Sequence, residues 1–441
     1  MRHRIVITAL IWGCFAASQV EAVLLVPEEF QTLQARVTAA SRGDTISVAA
    51  GVYQGTGNRG LQLTGDDLVL LSRDGPGAVT IDCGGADRAM EIGNAFGHVS
   101  VDGFEFTNGL GDLGGAVLAG AVTCTFRNCR FYRNRATLRG GAVHAAWITQ
   151  FIDCVIVDNE EHSQGGGGVS GGWGDVSLVR CLLTGNRSLG GLGGAIRSDA
   201  AVVSLTSCTV ASNYASTAGG AIFNFSADVY LKDTICTGNC AADFPDEIYT
   251  NASVLAECTD LDVSQVLADE ILVQDVFFSD PLFCDAAYCF QPTGNRKYDL
   301  HDGSPCLPDG NACGVLIGAL GRAAARSGRG RLLPWPTPRA LSCWSRSAST
   351  TPAPTREMAP AATRIPACRW RSSRRAGDAS RLGTRSGDDS RNRQAQCGAP
   401  RSQVEVVRVA PPGPWKLVGG ALGWAIDLSL VAGFLGAFRG I

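Results

Sequence analysis

A right-handed single-stranded parallel β-helix is the fold this 441-residue sequence predicts, and three periodic observations predict it. A glycine pair, a small residue and then Val or Ile recur five times between Gly114 and Ile222, at steps of 26, 26, 27 and 26 residues. An asparagine recurs in phase at Asn108, Asn134, Asn159, Asn186, Asn213 and Asn239. Five residues ahead of Asn134, Asn159, Asn186 and Asn213 stand Cys129, Cys154, Cys181 and Cys208, with Thr234 in that place before Asn239. A fixed period of this length marks stacked units that each bury an apolar face only against their neighbours.

Each position of the unit keeps one chemical character. Phe126, Phe151, Leu178, Leu205 and Leu231 precede the Cys/Thr position, and Phe131, Ile156, Leu183, Val210 and Cys236 follow it. Apolar and polar residues alternate at a spacing of two, the period of a strand rather than a helix, and Gly or Asn punctuates every short run. Glycine pairs suit a corner that needs positive φ or close backbone approach. Asparagines one coil apart can bond amide to amide. Cysteines one coil apart project in parallel at about the 4.8 Å strand spacing, too far for the ~3.8 Å Cβ separation of a disulfide. The cysteine column is therefore expected as stacked, buried free thiols acting as small hydrophobes. A linear column also makes no tetrahedral metal site. The prediction is eight or nine rungs of three short strands over residues 23–320, opened by a cap helix near Phe30 to Ser41.

The ends of the chain read differently. Arg2 and Arg4, the apolar run Ile5 to Ala17 and the small-residue site Val20-Glu21-Ala22 describe a signal peptide over 1–22. A secreted, extracellular or outer-membrane-surface location follows as the expectation. Residues 1–320 hold 35 Asp+Glu against 18 Lys+Arg, whereas 321–441 hold 6 against 20. An acidic solenoid is a poor partner for nucleic acid or anionic lipid. Residues 321–415, rich in Arg, Ser, Pro and Ala, lack the apolar content to order themselves, and are read as a disordered segment or as an out-of-frame tail. The apolar stretch within 416–441 is long enough to span a bilayer but carries Asp427 at its middle, so membrane contact is expected only through it.

Chemistry is harder to find. Asp153 and Asp233 share a unit position, but Asn128, Arg180 and Ser207 occupy it in other copies, so no paired-carboxylate ladder of the kind glycoside hydrolysis needs emerges. Asp158, Glu160 and Glu161 beside His162 offer oxygen ligands for calcium, with a solvated acidic loop as the plainer reading. His98, His144 and His301 are isolated in sequence, and Asp66-Asp67 reads as a turn. No catalytic, cofactor-binding or metal-binding residue is assigned. Trp147, Trp173, Phe223, Phe225 and Tyr230 offer contact surface, or else core and rim packing. Cys284 with Cys289 and Cys306 with Cys313 are close in sequence and are expected as local disulfides, leaving Cys236, Cys240 and Cys258 unassigned. Asn186, Asn224 and Asn251 begin glycosylation triplets that chance explains in a repeat of this composition.

The glycine-glycine-alanine-Ile/Val signature, with Phe131-Tyr132-Arg133-Asn134 and Val210-Ala211-Ser212-Asn213 between copies, resembles the repeat of polymorphic outer-membrane proteins. More broadly, residues 30–320 resemble secreted β-helix proteins of the pectate-lyase-like superfamily. The segment from Asp280-Pro281-Leu282-Phe283 to Ile317-Gly318-Ala319 is similar to their last rung. That superfamily mixes enzymes, adhesins and inert scaffolds. The resemblance implies a non-catalytic surface module for adhesion or glycan contact; the alternative is a polysaccharide lyase or hydrolase working in a groove along the helix. For a lyase, Arg133, Arg187 and Arg197 are the available bases, without a matching acidic set. The hydrolase triplets Asn-Thr-Asp and Gly-His-Gly are absent from the sequence.

Overall fold

The computed structural model describes residues 23–27, 30–63, 67–93, 97–289, 291, 296–322 and 405–407. The expected signal peptide and the apolar C-terminal stretch lie outside these residues. The described chain winds as a right-handed parallel β-solenoid of about nine turns. Four sheets run along it. Sheet I has twelve strands and begins at Val23–Val26; sheet II has nine and begins at Gly51–Gln54. Sheet III has six and begins at Leu110–Leu113; sheet IV has nine and begins at Leu61–Leu63. The middle coils thus carry four strands rather than three. Sheet III was missed because several of its strands are only two residues long, such as Glu160–Glu161 and Arg187–Ser188, too short for an alternation to register.

Register is strict, so every side chain meets its equivalent one coil away. Phe126 pairs with Val101 and Phe151, and the column continues through Leu178, Leu205, Leu231 and Ala256. Phe106, Phe131, Ile156, Leu183, Val210, Cys236 and Leu261 form a second interior column. Phe126 stacks on Phe151 at 5.3 Å and meets Phe131 edge-on at 5.5 Å. The first coil is closed by a helix, Leu33–Ala39, whose Leu33 and Val37 are buried. Thr32 caps it by accepting from the Ala35 N–H at 3.2 Å.

Three kinds of corner turn each coil. Between sheets I and II one residue takes positive φ: Asn128, Asp153, Arg180, Ser207 and Asp233, at 49–54°. Four of these five are short polar residues, which tolerate that conformation, so Asp153 and Asp233 share a position for a backbone reason. Between sheets II and III the positive φ falls on Asn108, Arg133, Asp158, Gly185, Ser212 and Gly238. Asn108 therefore belongs one place ahead of the ladder. The ladder's first rung is the N–H of Gly109, which donates to Asn134 Oδ1 at 2.9 Å. Between sheets III and IV lie the glycine pairs, and the two glycines serve different needs. The first (Gly114, Gly140, Gly166, Gly193, Gly219) has φ of 66–80°, while a Cβ on the second would collide with a carbonyl oxygen of the next coil.

The asparagines form one buried chain. Each amide nitrogen donates to the next amide oxygen, from Asn134 to Asn159, Asn186, Asn213 and Asn239, at 2.8–3.0 Å. Each oxygen also takes the backbone N–H of the preceding asparagine, and each nitrogen also donates to a carbonyl of the preceding coil. Such a chain needs a terminal acceptor. Glu247 supplies it: Oε2 accepts from Asn239 Nδ2 at 2.8 Å and Oε1 from the Asn239 N–H at 3.3 Å. The burial of Asn186 and Asn224 makes two of the three glycosylation triplets unavailable in the folded chain. The cysteine column is as expected: Cys129, Cys154, Cys181 and Cys208 are buried free thiols. Their Sγ atoms donate to carbonyls of the preceding coil at 3.3–3.4 Å. Burial raises the Cys154 and Cys208 thiols and keeps them protonated.

The C-terminal segment departs from expectation. After the strand Glu270–Gln274 the chain leaves the coil, so the Asp280 to Ala319 segment is a strap rather than a final rung. It lies against the outer side of sheet II, where Leu300, Cys306, Leu307 and Ile317 cluster on Ile235. Tyr298 OH reaches Ser212 Oγ at 3.0 Å, and the Ala319 N–H donates to Thr209 Oγ1 at 2.9 Å. Because the strap runs back over earlier coils, its cysteines meet partners far away in sequence. The disulfides are Cys240–Cys289 and Cys258–Cys313, in place of the local pairs expected. Non-reducing peptide mapping should recover these two pairs. Spanning 49 and 55 residues, each stabilises by about 4 kcal/mol in the chain-entropy picture. Reduction should therefore lower the unfolding midpoint sharply; an unchanged midpoint would show that the strap is not stapled. Farther along the chain, Glu405–Val407 pairs antiparallel with Ile271–Val273, using the open edge of the last strand.

Two acids are sealed under the last coils. Glu247 and Asp260 are fully buried, and burial pushes each up to about 7. Asp260 accepts from the Ser279 N–H at 3.1 Å and from the Cys306 thiol at 3.5 Å. In the unfolded chain both ionise near pH 4. The folded state therefore binds more protons between pH 4 and 7, and stability present below 4 is lost as pH rises through that window. The thermal midpoint should fall from pH 4 to pH 7, Asp260 contributing a stability loss on the order of 4 kcal/mol. Asp260→Asn should flatten part of that slope, and an identical slope in the variant would contradict the assignment.

Candidate functional site

The chemistry of the described surface concentrates where sheet IV hands over to sheet I. In the middle coils the sheet IV strands end in Ala119, Ala145, Gly171, Ser198, Asn224 and Thr250, and the last three bond into the connection that follows. Ser198 Oγ bridges Ala201, Asn224 Nδ2 donates to the carbonyl of Ala227 at 2.9 Å, and Thr250 Oγ1 donates to the same carbonyl at 3.0 Å. These bonds brace the connections that carry Asp199, Phe225 and Asn251. Trp147 and Trp173 sit at equivalent places in adjacent coils. Gly174 lies so close to the backbone of Trp147 and Ile148 that a Cβ would collide there, and Gly172 packs tightly on Ala146. Asp199 follows in the next coil, Phe225 in the one after, and Asn251 beyond that.

Exposure separates this row from the core. Trp173 is 79% exposed, Phe225 49%, Trp147 45% and Tyr230 40%. Phe223 is not part of it: 8% exposed, it lies on the outer face of sheet IV, stacked at 4.7 Å on Tyr249. Trp147, Trp173 and Phe225 thus line one edge of the solenoid, with Tyr230 on the neighbouring outer face of sheet I. The exposed rings set this edge apart from the packed interior columns.

A polar network on the outer face of sheet IV supports the row. Register brings Glu91, Leu118, His144, Ser170, Arg197 and Phe223 into one column. Arg197 Nε and Nη2 both bond Asp199 Oδ1, at 3.0 and 2.7 Å, and Arg139 Nη1 bonds Asp199 Oδ2. Arg88 joins Asp112 and lies 3.5 Å from Glu91. His144 Nδ1 stands 2.7 Å from Ser170 Oγ. Burial, with Arg139 close by, lowers His144 to about 4, so its ring is neutral at physiological pH.

The other candidates disperse. Glu160 pairs with His162 at 2.5 Å and Arg187 at 3.6 Å. Glu161, far from solvated, is buried and accepts from Ser188 Oγ at 3.0 Å and from the N–H groups of Ser163 and Gln164. With those oxygens engaged the corner is an ion-paired loop closure, and Asp158 serves as one of the positive-φ corners. Arg133 lies over the Tyr132 ring at 4.6 Å. Asp67 is the expected turn: it accepts from the His98 N–H at 2.9 Å and pairs with Arg42, and both contacts hold its carboxyl below the usual range. His98 is exposed at the start of its sheet I strand, two coils ahead of Trp147, and His301 is exposed on the strap. Among the described residues one group has donor atoms close enough for a metal, Cys258, Asp275 and Cys313, but its two sulfurs are bonded to each other.

Sequence reasoning missed Asp199, Glu247 and the strap. Glu247 was within reach: it stands 26 residues after Ala221, and Pro245-Asp246-Glu247-Ile248 is a sixth, diverged copy of the glycine motif. Asp199 carried no signal, because its role depends on arginines 60 and 2 residues away. No family model, curated protein or solved structure matches the chain.

Proposed function

We propose that this protein is a secreted or cell-surface β-helix module that contacts glycans along the sheet IV to sheet I edge, with a repeat of the polymorphic outer-membrane type on a pectate-lyase-like scaffold. The observation that carries the reading is the line of exposed rings, Trp147, Trp173 and Phe225, interrupted by the anchored carboxylate of Asp199. Pyranose rings present C–H faces to aromatic rings and hydroxyls to carboxylates, so this alternation offers both halves of sugar recognition. A repeated scaffold offers them along a line, which suits adhesion to a polymer. The acid–arginine pairing in the supporting network favours a binding role, since Asp112, Glu91 and Asp199 each meet a guanidinium.

A glycan array probed with the full chain tests this. Binding to a subset of glycans is expected, and Trp173→Ala should weaken it at least tenfold while leaving the melting midpoint within a few degrees. An array with no retained glycan, or full binding by the variant, would refute the reading.

A further inference from the structure

Resting on that glycan reading, we infer that the row takes the interior of an extended, uncharged polysaccharide rather than a chain end or a polyanion. Length argues for the interior. From Trp147 to Asn251 the row crosses four coil steps, about 19 Å at the ordinary strand spacing, a span comparable to a short run of pyranose rings. Trp147 and Trp173 are one coil apart and Phe225 two coils farther, so rings occur at intervals along the whole row. A chain-end site would need a wall, and the described residues place only further coils at either end.

Charge argues for a neutral ligand. The cations bordering the row are engaged: Arg139 and Arg197 by Asp199, and Arg88 by Asp112 and Glu91. His144 is neutral at physiological pH. On the row itself stand the carboxylates of Asp175, Asp199 and Asp228. A uronate or sulfated chain would meet these acids without a cation in compensation. A neutral chain meets acceptors for its hydroxyls. Asp199 is the best of them: Arg197 fills both positions on Oδ1, and Arg139 fills one on Oδ2, leaving one lone pair directed by a fixed carboxylate.

Titration calorimetry on the full chain decides it, using β-1,4-linked glucose oligomers of two to six units and hexagalacturonate, at 20 and 500 mM NaCl. The neutral series should gain at least tenfold in affinity from dimer to hexamer and change less than twofold with salt. Trp173→Ala should lose that gain and Trp173→Phe should keep most of it. Tighter, salt-sensitive binding of hexagalacturonate would overturn the neutral-ligand inference while leaving glycan contact intact. Equal affinity for dimer and hexamer would overturn the extended row. Binding of neither series in calorimetry, together with an empty glycan array, would remove the glycan reading itself.

Discussion

Gly167→Ala should abolish stable folding, a loss of more than about 4 kcal/mol by the standard of core collisions with no room to relax. The added methyl would run into the carbonyl oxygen of Gly194 and the backbone of Arg187, both parts of the next coil. Neither can retreat without breaking the register of sheets III and IV, and the same obstruction recurs at Gly115, Gly141, Gly194 and Gly220. Gly238→Ala is the matched control. Its φ is +68° but nothing lies within 4 Å of the new Cβ, so it should cost only the ~1–2 kcal/mol of a left-handed L-residue. Urea denaturation of the two variants measures the difference. Equal midpoints would mean that the coil-to-coil contact at Gly167 costs no more than a left-handed backbone does at Gly238.

Asn186→Ala should be nearly as damaging. Asn186 accepts from the Asn159 N–H at 3.2 Å and its Nδ2 at 2.9 Å, and donates to the Ile156 carbonyl at 2.8 Å and Asn213 Oδ1 at 3.0 Å. Truncation strands several of these groups where water does not reach. At ~1–3 kcal/mol for each unsatisfied buried group, a loss of about 3–6 kcal/mol is expected. Cys181→Ala, in the neighbouring column, removes a single sulfur from a buried site and should cost about 1–2 kcal/mol. If chemical denaturation puts the two variants level, the amide chain is an ornament of the corner and not a source of stability.

The contrast explains what was legible beforehand. Stacking writes itself into sequence as period, so glycine pairs, asparagines, cysteines and interior apolar columns could be read, and the cap helix with them. A count of 26 cannot say which of two neighbouring corner residues faces inward, hence Asn108 was placed in the ladder although Gly109 holds that rung. The sheet II to III corner hides likewise, because Arg133, Asp158 and Ser212 share a backbone conformation and no side-chain chemistry. Whatever depends on chain folding back across the solenoid left no period at all. Cys289 finds Cys240 and Cys313 finds Cys258 only because the strap retraces earlier coils. The row of rings lay between these cases: its aromatics were visible, but their common edge emerged only when each was placed after a sheet IV strand.

Spin labels on the outer face of sheet I test the stacking most directly. Gln150 pairs with Ser177, and Ser177 with Ser204, so labels introduced as unnatural amino acids at 150/177 and 177/204 should lie one coil apart, about 4.8 Å between backbones. Continuous-wave spectra should show strong dipolar broadening for both pairs and weaker broadening for 150/204. A sharp, uncoupled spectrum from the 177/204 pair would contradict the in-register solenoid.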